Sequence, residues 1–317
     1  MTDQLALRTR LFGAVLQRIS KPADTAEEMI ALRKKRARLL ASPVGRLVTG
    51  RESTRVAVEE RAVALAHHDS RMRIHTPPGA GPKPVVVNFH GGGWCIGTPE
   101  QSGWFASHVA ELTGAIVVSP TYRLAPEHPY PAATDDAWAA FEWVRAHAAE
   151  LGGDPRRMAV TGDSAGGNLA SVVALLARDA GIDDIRAQAL VYPAVEIHER
   201  WPSEDEFAEG IVLTSRGMRT FSRLYAGDTS VATDWQLSPI RAASHAGLPP
   251  ALIVTAHHDP LRDHGERYAA ALAAAGVEVE LRDYGPGVHG FLSLPRVVPV
   301  AKDALADVAG FLSARLS

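Results

Sequence analysis

The stretch Gly162-Asp-Ser-Ala-Gly-Gly-Asn168 places a serine between glycines, directly after an apolar run and directly before helix-forming residues. A serine on a sharp strand-to-helix turn exposes its hydroxyl group as a nucleophile, and glycines at positions 162 and 166 leave room for that turn. The serine would lie at a helix N-terminus, where the amide N–H of Ala165 can donate to a developing oxyanion. The motif therefore predicts acyl-transfer chemistry with Ser164 as the nucleophile.

A serine nucleophile needs a neighbouring base, which is oriented in turn by a carboxylate. With this type of turn, the acid and then the histidine follow the serine along the chain. The strand-like run 251–255 leads to two acids, of which Asp259 lies nearer to the strand and Asp263 falls in the first turn of the next helix. His289 is the only histidine after this loop. The sequence predicts Ser164, Asp259 and His289 as the catalytic residues.

Three consecutive glycines follow His90, after a second strand-like run. Such a loop could hold a phosphate group, could direct amide N–H groups at an oxyanion, or could make His90 the reactive group. The required chain order excludes His90 as the base, and neither glycine-rich nucleotide motif is present. We therefore interpret the loop as an oxyanion loop, with His90 holding its backbone in shape.

Histidines near the predicted acid raise the alternative of a metal site, because His257, His258 and His264 surround Asp259 and Asp263 in the sequence. No His-Glu-x-x-His motif or Cys-x-x-Cys pair supports a zinc site. We predict that the protein uses neither a metal nor an organic cofactor.

Composition excludes several classes of protein. The 317 residues carry a net charge of -3, with 46% hydrophobic and 22% charged residues, which predicts neither a nucleic-acid partner nor a membrane partner. Charged residues interrupt the first 20 residues, so we expect no signal peptide, and no run is long enough for a transmembrane helix. The single cysteine, Cys95, is compatible with a reducing compartment, and we predict a cytoplasmic location.

Short apolar runs alternate with helix-patterned segments from about residue 55 onward, which predicts an α/β fold with a mostly parallel sheet covered on both faces. The predicted strands contain residues 55–58, 72–75, 85–89, 115–118, 158–161, 189–192, 251–255 and 277–281. The predicted helices contain residues 99–113, 134–150, 165–180, 262–275 and 300–316. Helical residues 1–45 and an insertion at 197–225 would form a cap, so that 46–196 and 226–317 form the catalytic domain.

Together these motifs resemble the hormone-sensitive-lipase-like carboxylesterases of the α/β-hydrolase superfamily. The resemblance rests on His-Gly-Gly-Gly, Gly-Asp-Ser-Ala-Gly-Gly-Asn, Tyr122-Arg-Leu-Ala-Pro-Glu-His-Pro-Tyr-Pro-Ala132, Asp259-Pro-Leu-Arg-Asp263 and Val288-His-Gly-Phe291. It implies an eight-stranded α/β-hydrolase fold with a helical cap and the same three catalytic residues. It also implies an oxyanion hole formed by Gly92, Gly93 and Ala165, short to medium acyl esters as substrates, and a possible homodimer formed through the last strand.

The sequence departs from the family at His257-His258, where Gly-Tyr is usual, and at His264, where Glu is frequent. These changes concern the polarity of the substrate pocket rather than the catalytic residues. We predict that the pocket is lined by Trp94, Tyr192, Phe207, Ile211, Leu213, His258 and Val288.

Two alternatives to ester hydrolysis remain at this point. The same catalytic residues could hydrolyse an amide or a lactone. Plant gibberellin receptors resemble this family and bind a hormone without catalysis, but they lack the catalytic histidine that this chain has at position 289.

Overall fold

Eight strands form one sheet. They are β1 (Ala57–Ala64), β2 (Asp69–Thr76), β3 (Lys83–Phe89), β4 (Ile116–Pro120), β5 (Gly153–Asp163), β6 (Ile185–Val191), β7 (Ala251–His258) and β8 (Val279–Val288). Their spatial order is β1-β2-β4-β3-β5-β6-β7-β8. The pairs β1–β2 and β2–β4 are antiparallel, and all the other pairs are parallel. The carboxyl ends of β3, β5, β7 and β8 therefore meet at one edge of the sheet.

This computed structural model describes residues 4–19, 23–227 and 234–317. Residues 1–3 and 20–22 of the predicted N-terminal cap, and 228–233 of the predicted catalytic domain, lie outside the described residues.

Ten α-helices are present in the described ranges. They are α1 (Leu7–Ile19), α2 (Ala26–Ala41), α3 (Pro43–Thr49), α4 (Gly103–Thr113), α5 (Ala132–Ala146), α6 (Ala165–Asp179), α7 (Pro202–Glu206), α8 (Ser215–Ala226), α9 (Arg262–Ala274) and α10 (Ala301–Leu316). Helices α5, α6 and α9 cover one face of the sheet, and α4 and α10 cover the other.

The two faces of the sheet carry separate hydrophobic cores because successive strand residues point to opposite sides. In β3, Val85 and Val87 belong to the core beneath α5 and α6, whereas Val86 belongs to the core beneath α4 and α10. All three valines are fully buried. A central strand that is buried on both faces gives a continuous apolar run in the sequence, which is why these strands are recognisable there.

Helices α1–α3, α7 and α8 lie apart from this alternation. The first turn of α2 has a capping box, in which Thr25 accepts a hydrogen bond from the Glu28 amide and the Glu28 side chain accepts one from the Thr25 amide. Arg216 and Thr220 of α8 donate hydrogen bonds to Asp24, immediately before this cap. The N-terminal helices are thus joined to α8 through a side-chain contact about 190 residues apart in the sequence.

All eight predicted strands are present, although some bounds differ: β1 begins at Ala57 rather than at residue 55, and β8 begins at Val279 rather than at residue 277 and runs on to Val288. Other differences concern the helices. The predicted helix 99–113 begins as a 3₁₀ turn at Pro99–Ser102 and becomes α-helical at Gly103. The N-terminal helical region extends beyond residue 45, because Ser42 caps α3 and Pro43 fits its first turn. Only part of 197–225 is helical, as α7 and α8 are separated by turns. Within the described ranges, no helix combines the length and the apolar character needed to cross a bilayer.

Candidate active site

The turn between β5 and α6 holds Ser164 with a positive φ of 58°. A Cβ atom at Gly162 would lie 2.3 Å from the carbonyl oxygen of Gly166, and one at Gly166 would lie 2.0 Å from that of Phe89. No side chain fits at either position, so the backbone can turn this sharply only with glycine on both sides. The Ser164 amide donates to the carbonyl oxygen of Val191 at 2.9 Å, which fixes the turn against β6.

The predicted catalytic side chains lie together at this turn. His289 Nε2 is 2.9 Å from the Ser164 hydroxyl oxygen, and His289 Nδ1 is 2.7 Å from Asp259 Oδ2. Because a carboxylate only accepts, Nδ1–H is the donor and Nε2 is left to accept the serine proton. The other oxygen, Asp259 Oδ1, accepts from the Leu261 amide at 2.8 Å. The geometry thus provides a chain of hydrogen bonds from the buried carboxylate of Asp259 through His289 to the Ser164 hydroxyl, which is itself only 8% exposed.

Asp263, the other acid of this loop, binds a different partner. Its Oδ2 accepts from the Ser203 amide of α7 at 3.1 Å, and its own amide donates to Ser203 Oγ at 3.2 Å. Ser203 Oγ in turn donates to the carbonyl oxygen of Pro260 at 2.7 Å. Ser203 is fully buried. These bonds connect the inserted segment to the loop that holds Asp259.

The glycine loop after β3 is held in shape by His90 and Tyr122. Their rings stack with centroids 4.3 Å apart, and the Tyr122 hydroxyl donates to the carbonyl oxygen of His90 at 2.7 Å. Burial lowers the pKa of His90 to about 4, so the ring is neutral at physiological pH. A neutral, enclosed imidazole is suited to supporting the backbone rather than to transferring protons.

The amides of the loop remain available for a ligand. Gly92 and Gly93 have φ values of 130° and 58°, and among the described residues no protein acceptor takes a hydrogen bond from either N–H group. A Cβ atom at Gly92 would lie 2.1 Å from the carbonyl oxygen of Ile96, so the loop requires glycine there. The loop follows β3, which pairs with β5, the strand that leads into the Ser164 turn. Two unpaired donors in such a loop are an arrangement that can receive an oxyanion.

The Asp163 side chain binds the backbone of the same glycine loop. Its Oδ1 accepts from the Gly91 amide at 2.8 Å. Its pKa is raised to about 6, chiefly because burial disfavours the charged carboxylate, although the Gly91 hydrogen bond and the charges of His289 and Arg36 act in the opposite direction. The folded protein therefore binds a proton at Asp163 more tightly than the unfolded chain, whose aspartates have a pKa of 3.8.

We expect Asp163→Asn to change how stability depends on pH. The contribution of wild-type Asp163 is fully present below the unfolded pKa of 3.8 and is lost as the pH rises through the folded pKa of about 6. An asparagine keeps the acceptor for Gly91 and loses no proton. The free energy of unfolding of the variant, relative to wild type, should rise by up to about 3 kcal/mol between about pH 4 and pH 7. Denaturant unfolding at several pH values measures this, and a constant difference would contradict it.

The residues predicted to line the pocket occupy different positions around the serine. Val288 pairs with His258 across β7 and β8, and the Phe207 ring lies 5.6 Å from that of His258. Tyr192 is fully buried, and its ring centroid lies 4.9 Å from that of His289. These residues lie on the histidine side of the site.

The other predicted pocket residues contact the inserted segment or belong to it. Trp94 is buried and stacks on Tyr225 of α8 at 4.6 Å. Ile211 contacts α1, since a Cβ at Gly13 would be 2.9 Å from its side chain, and Leu213 is buried nearby in the chain. Their role in binding substrate stays a prediction.

The remaining candidates are explained by local packing. Burial raises the pKa of the Cys95 thiol to about 12, which keeps it protonated and unreactive. His257 pairs with Asp283 at 3.2 Å, and His264 is buried against the Trp201 ring, where burial lowers its pKa to about 3. His257 thus has a carboxylate partner, whereas both ring nitrogens of His264 are buried without a hydrogen-bond partner among the described residues.

Asp163, Tyr122 and Phe221 contact the glycine loop but are not among the site residues predicted from the sequence. Asp163 and Tyr122 stand within the quoted motifs, so a signal was present at those positions. Phe221 of α8 lies over the glycine loop, because a Cβ at Gly93 would be 2.4 Å from its ring. Nothing in the local sequence indicates that contact, which depends on how the insertion returns to the sheet.

Comparison with known proteins agrees with the fold described above. A family model described as the alpha/beta hydrolase fold matches residues 86–293. Carboxylesterase NlhH of Mycobacterium tuberculosis (strain H37Rv) is 43% identical over 285 residues, covering 88% of this chain and 88% of that protein. An arylesterase of Saccharolobus solfataricus is 34% identical over 235 residues, covering 74% and 76%. The crystal structure of a thermostable esterase from Pseudomonas putida ECU1011 has a TM-score of 0.90 at 33% identity, covering 99% and 98%. The chain belongs to the α/β-hydrolase fold family and, within it, to the hormone-sensitive-lipase-like carboxylesterases.

Proposed function

We propose that this carboxylesterase acts through Ser164, His289 and Asp259, with a covalent acyl-enzyme intermediate. His289 Nε2 removes the serine proton while Oγ attacks the acyl carbonyl, and the same nitrogen then protonates the departing alkoxide. Water attacks the acyl-enzyme with His289 again as the base, which releases the acid and restores Ser164. The observation that carries this proposal is the position of His289, 2.9 Å from the serine and 2.7 Å from the acid.

The proposed oxyanion hole consists of the amides of Gly92, Gly93 and Ala165. The negative charge that develops on the carbonyl oxygen would be met by the fixed N–H dipoles of the glycine loop and of the N-terminus of α6. The absence of competing protein acceptors for Gly92 and Gly93, within the described ranges, supports this role. The hole needs no metal ion because the protein itself supplies the donors.

We also propose that residues 1–45 and 197–225 form a cap over the catalytic domain, which comprises 46–196 and 226–317. The contact of Phe221 with Gly93 and the stacking of Tyr225 on Trp94 support a cap that reaches the glycine loop itself. A cap at this position would limit the depth available to an acyl chain. Short to medium acyl esters are therefore the proposed substrates.

A series of 4-nitrophenyl esters of increasing acyl length tests this substrate range. We expect kcat/KM to be highest for a short or medium chain and to be about tenfold or more lower for the hexadecanoate, because the long chain cannot fit beneath α8. Replacing Phe221 with alanine should improve the long esters relative to the short ones, whereas Phe311→Ala on the far side of the sheet should not. A maximum at hexadecanoate in the wild type would contradict the proposed range.

An active-site probe separates this function from a binding-only role on the same fold. A fluorophosphonate should label wild-type protein stoichiometrically and should not label Ser164→Ala. Amide and lactone analogues of the best ester then measure selectivity among acyl donors, since the same residues could serve all three. If the probe does not label the wild type, Ser164 is not an activated nucleophile.

We also propose a cytoplasmic location and a homodimeric assembly. The one cysteine, Cys95, is a free buried thiol, which supports a reducing compartment such as the cytoplasm. Strand β8 ends the sheet, with β7 as its neighbour, so its open edge could pair with β8 of a second copy to form a homodimer.

A further inference from the structure

The outward face of α1 is apolar. Leu7, Leu11 and Val15 lie one turn apart on one side of the helix and are 69%, 60% and 57% exposed. The opposite side is attached to the protein: Thr9 Oγ1 donates to the carbonyl oxygen of Val297 at 3.1 Å, and Gly13 packs against Ile211. The helix is therefore fixed in place with an apolar stripe turned toward solvent.

This exposure is concentrated in the N-terminal helices. Among the described residues there are eight exposed large apolar side chains, and five of them, Leu7, Leu11, Val15, Leu39 and Leu47, belong to α1–α3. A stripe of this kind usually marks a contact surface, whereas single exposed apolar residues need no explanation.

The same helix is basic. Helix α1 contains no acidic residue, and its Arg8, Arg10 and Arg18 are exposed and make no ion pair with any residue in the described part of the chain. Residues 1–49 contain 10 Lys and Arg against 4 Asp and Glu, whereas the rest of the chain contains 23 against 32. The net charge of -3 thus hides a division into a basic N-terminal region of +6 and an acidic remainder of -9.

We propose that the α1 outer face, defined by Leu7, Leu11, Val15, Arg8 and Arg18, docks on the surface of an anionic phospholipid bilayer. Apolar side chains that enter the boundary between headgroups and acyl chains, flanked by arginines that meet the headgroup phosphates, are the features of a helix that lies on a membrane. Arg18 is seven residues after Leu11 and so lies on the stripe itself. The helix lies on the bilayer and does not span it.

Charge and chemistry favour a lipid surface over the other occupants of such a face. A second copy would place the same arginines against each other with no acid on the helix to compensate. A nucleic acid would satisfy the arginines, but its phosphate backbone offers nothing for Leu7, Leu11 and Val15 to contact. A surface that is anionic and also has an apolar interior matches both sets of side chains.

The docking does not depend on catalysis, so it can be measured separately from the proposed function. Purified full-length protein is sedimented with vesicles of phosphatidylcholine alone or with about one third phosphatidylglycerol. We expect at least about tenfold more binding to the anionic vesicles at low salt, falling as salt is added. Ser164→Ala should bind equally well, which distinguishes failure of the docking from failure of the catalytic assignment.

Leu7→Ser/Leu11→Ser should lower binding to near that on neutral vesicles while turnover of a water-soluble ester is unchanged. Leu112→Ser, which removes a similarly exposed leucine from α4, is the matched control and should bind as the wild type does. Arg8→Gln/Arg18→Gln gives an independent test that changes no apolar side chain, and it should reduce both the binding and its dependence on salt.

Equal binding of the wild type to neutral and anionic vesicles would overturn the proposal. So would unchanged binding of folded Leu7→Ser/Leu11→Ser. If that variant instead converts a dimer into a monomer in sedimentation velocity and the wild type ignores vesicles, the face is a contact between copies. Tight, salt-sensitive binding to duplex DNA, unaffected by the leucine substitutions, would assign the arginines to nucleic acid.

Discussion

Ser164→Ala is expected to reduce kcat for an aryl butyrate by roughly a millionfold, to the rate of contaminating or uncatalysed hydrolysis. The loss is this large because the chain's one thiol cannot replace the serine as nucleophile, since burial raises the pKa of Cys95 to about 12. Stability should change little, because alanine keeps the Cβ atom at the same positive φ of 58°. Steady-state turnover and thermal unfolding measure the two effects.

Ser171→Ala is a matched control for this variant. Ser171 is a fully buried serine on α6, seven residues after Ser164, and its hydroxyl donates to the carbonyl oxygen of Gly167 at 2.8 Å. Loss of that bond should cost about 1 kcal/mol of stability and leave turnover near wild type. Near wild-type turnover by purified Ser164→Ala, with no label from a fluorophosphonate, would reject Ser164 as the nucleophile.

Gly92→Ala should lower kcat by about a hundredfold to a thousandfold, which is the usual cost of losing one oxyanion donor. The new Cβ would lie 2.1 Å from the carbonyl oxygen of Ile96, so the backbone must move and its N–H would no longer face the substrate. KM should change less than kcat, because the donor acts mainly on charge that develops in the transition state. The free energy of unfolding should also fall, by about 1–3 kcal/mol, because the φ of 130° is unfavourable for alanine.

Gly50→Ala separates the catalytic loss from the loss of stability. Gly50 also has a positive φ, of 79°, and a Cβ there would lie 2.8 Å from Trp104, but it lies outside the glycine loop. This variant should lose stability and keep most of its turnover. Equal losses of kcat in the two variants, both assayed well below their unfolding temperatures, would show that Gly92 matters only for folding.

The sequence allowed the sheet and the grouping of Ser164, Asp259 and His289 to be predicted, because both depend on local patterns. Strands buried on both faces are continuous apolar runs, and parallel strands bring their carboxyl ends to one edge. The serine turn is also local, since Gly162 and Gly166 are needed by contacts within a few residues of Ser164 or on the adjacent strand.

The cap contacts were not predictable in the same way. The position of Phe221 over Gly93 joins residues 128 apart in sequence, and it depends on the turns between α7 and α8 rather than on any periodic pattern. The role of Asp163 was missed for another reason. A motif identifies the residue but does not say that its carboxylate turns beneath the loop to accept from Gly91.

The hydrogen bonds of Ser203 have a consequence for the timing of the reaction. They attach α7, in the proposed cap, to Pro260 and Asp263, which both lie in the short segment directly after Asp259. If the cap opens by moving α7, these bonds break, and the loop that holds Asp259 loses its contacts with α7. The enzyme would then exist either as an open form that exchanges substrate and product or as a closed form that is chemically competent. Its observed rate would equal the intrinsic rate multiplied by the fraction of time spent closed.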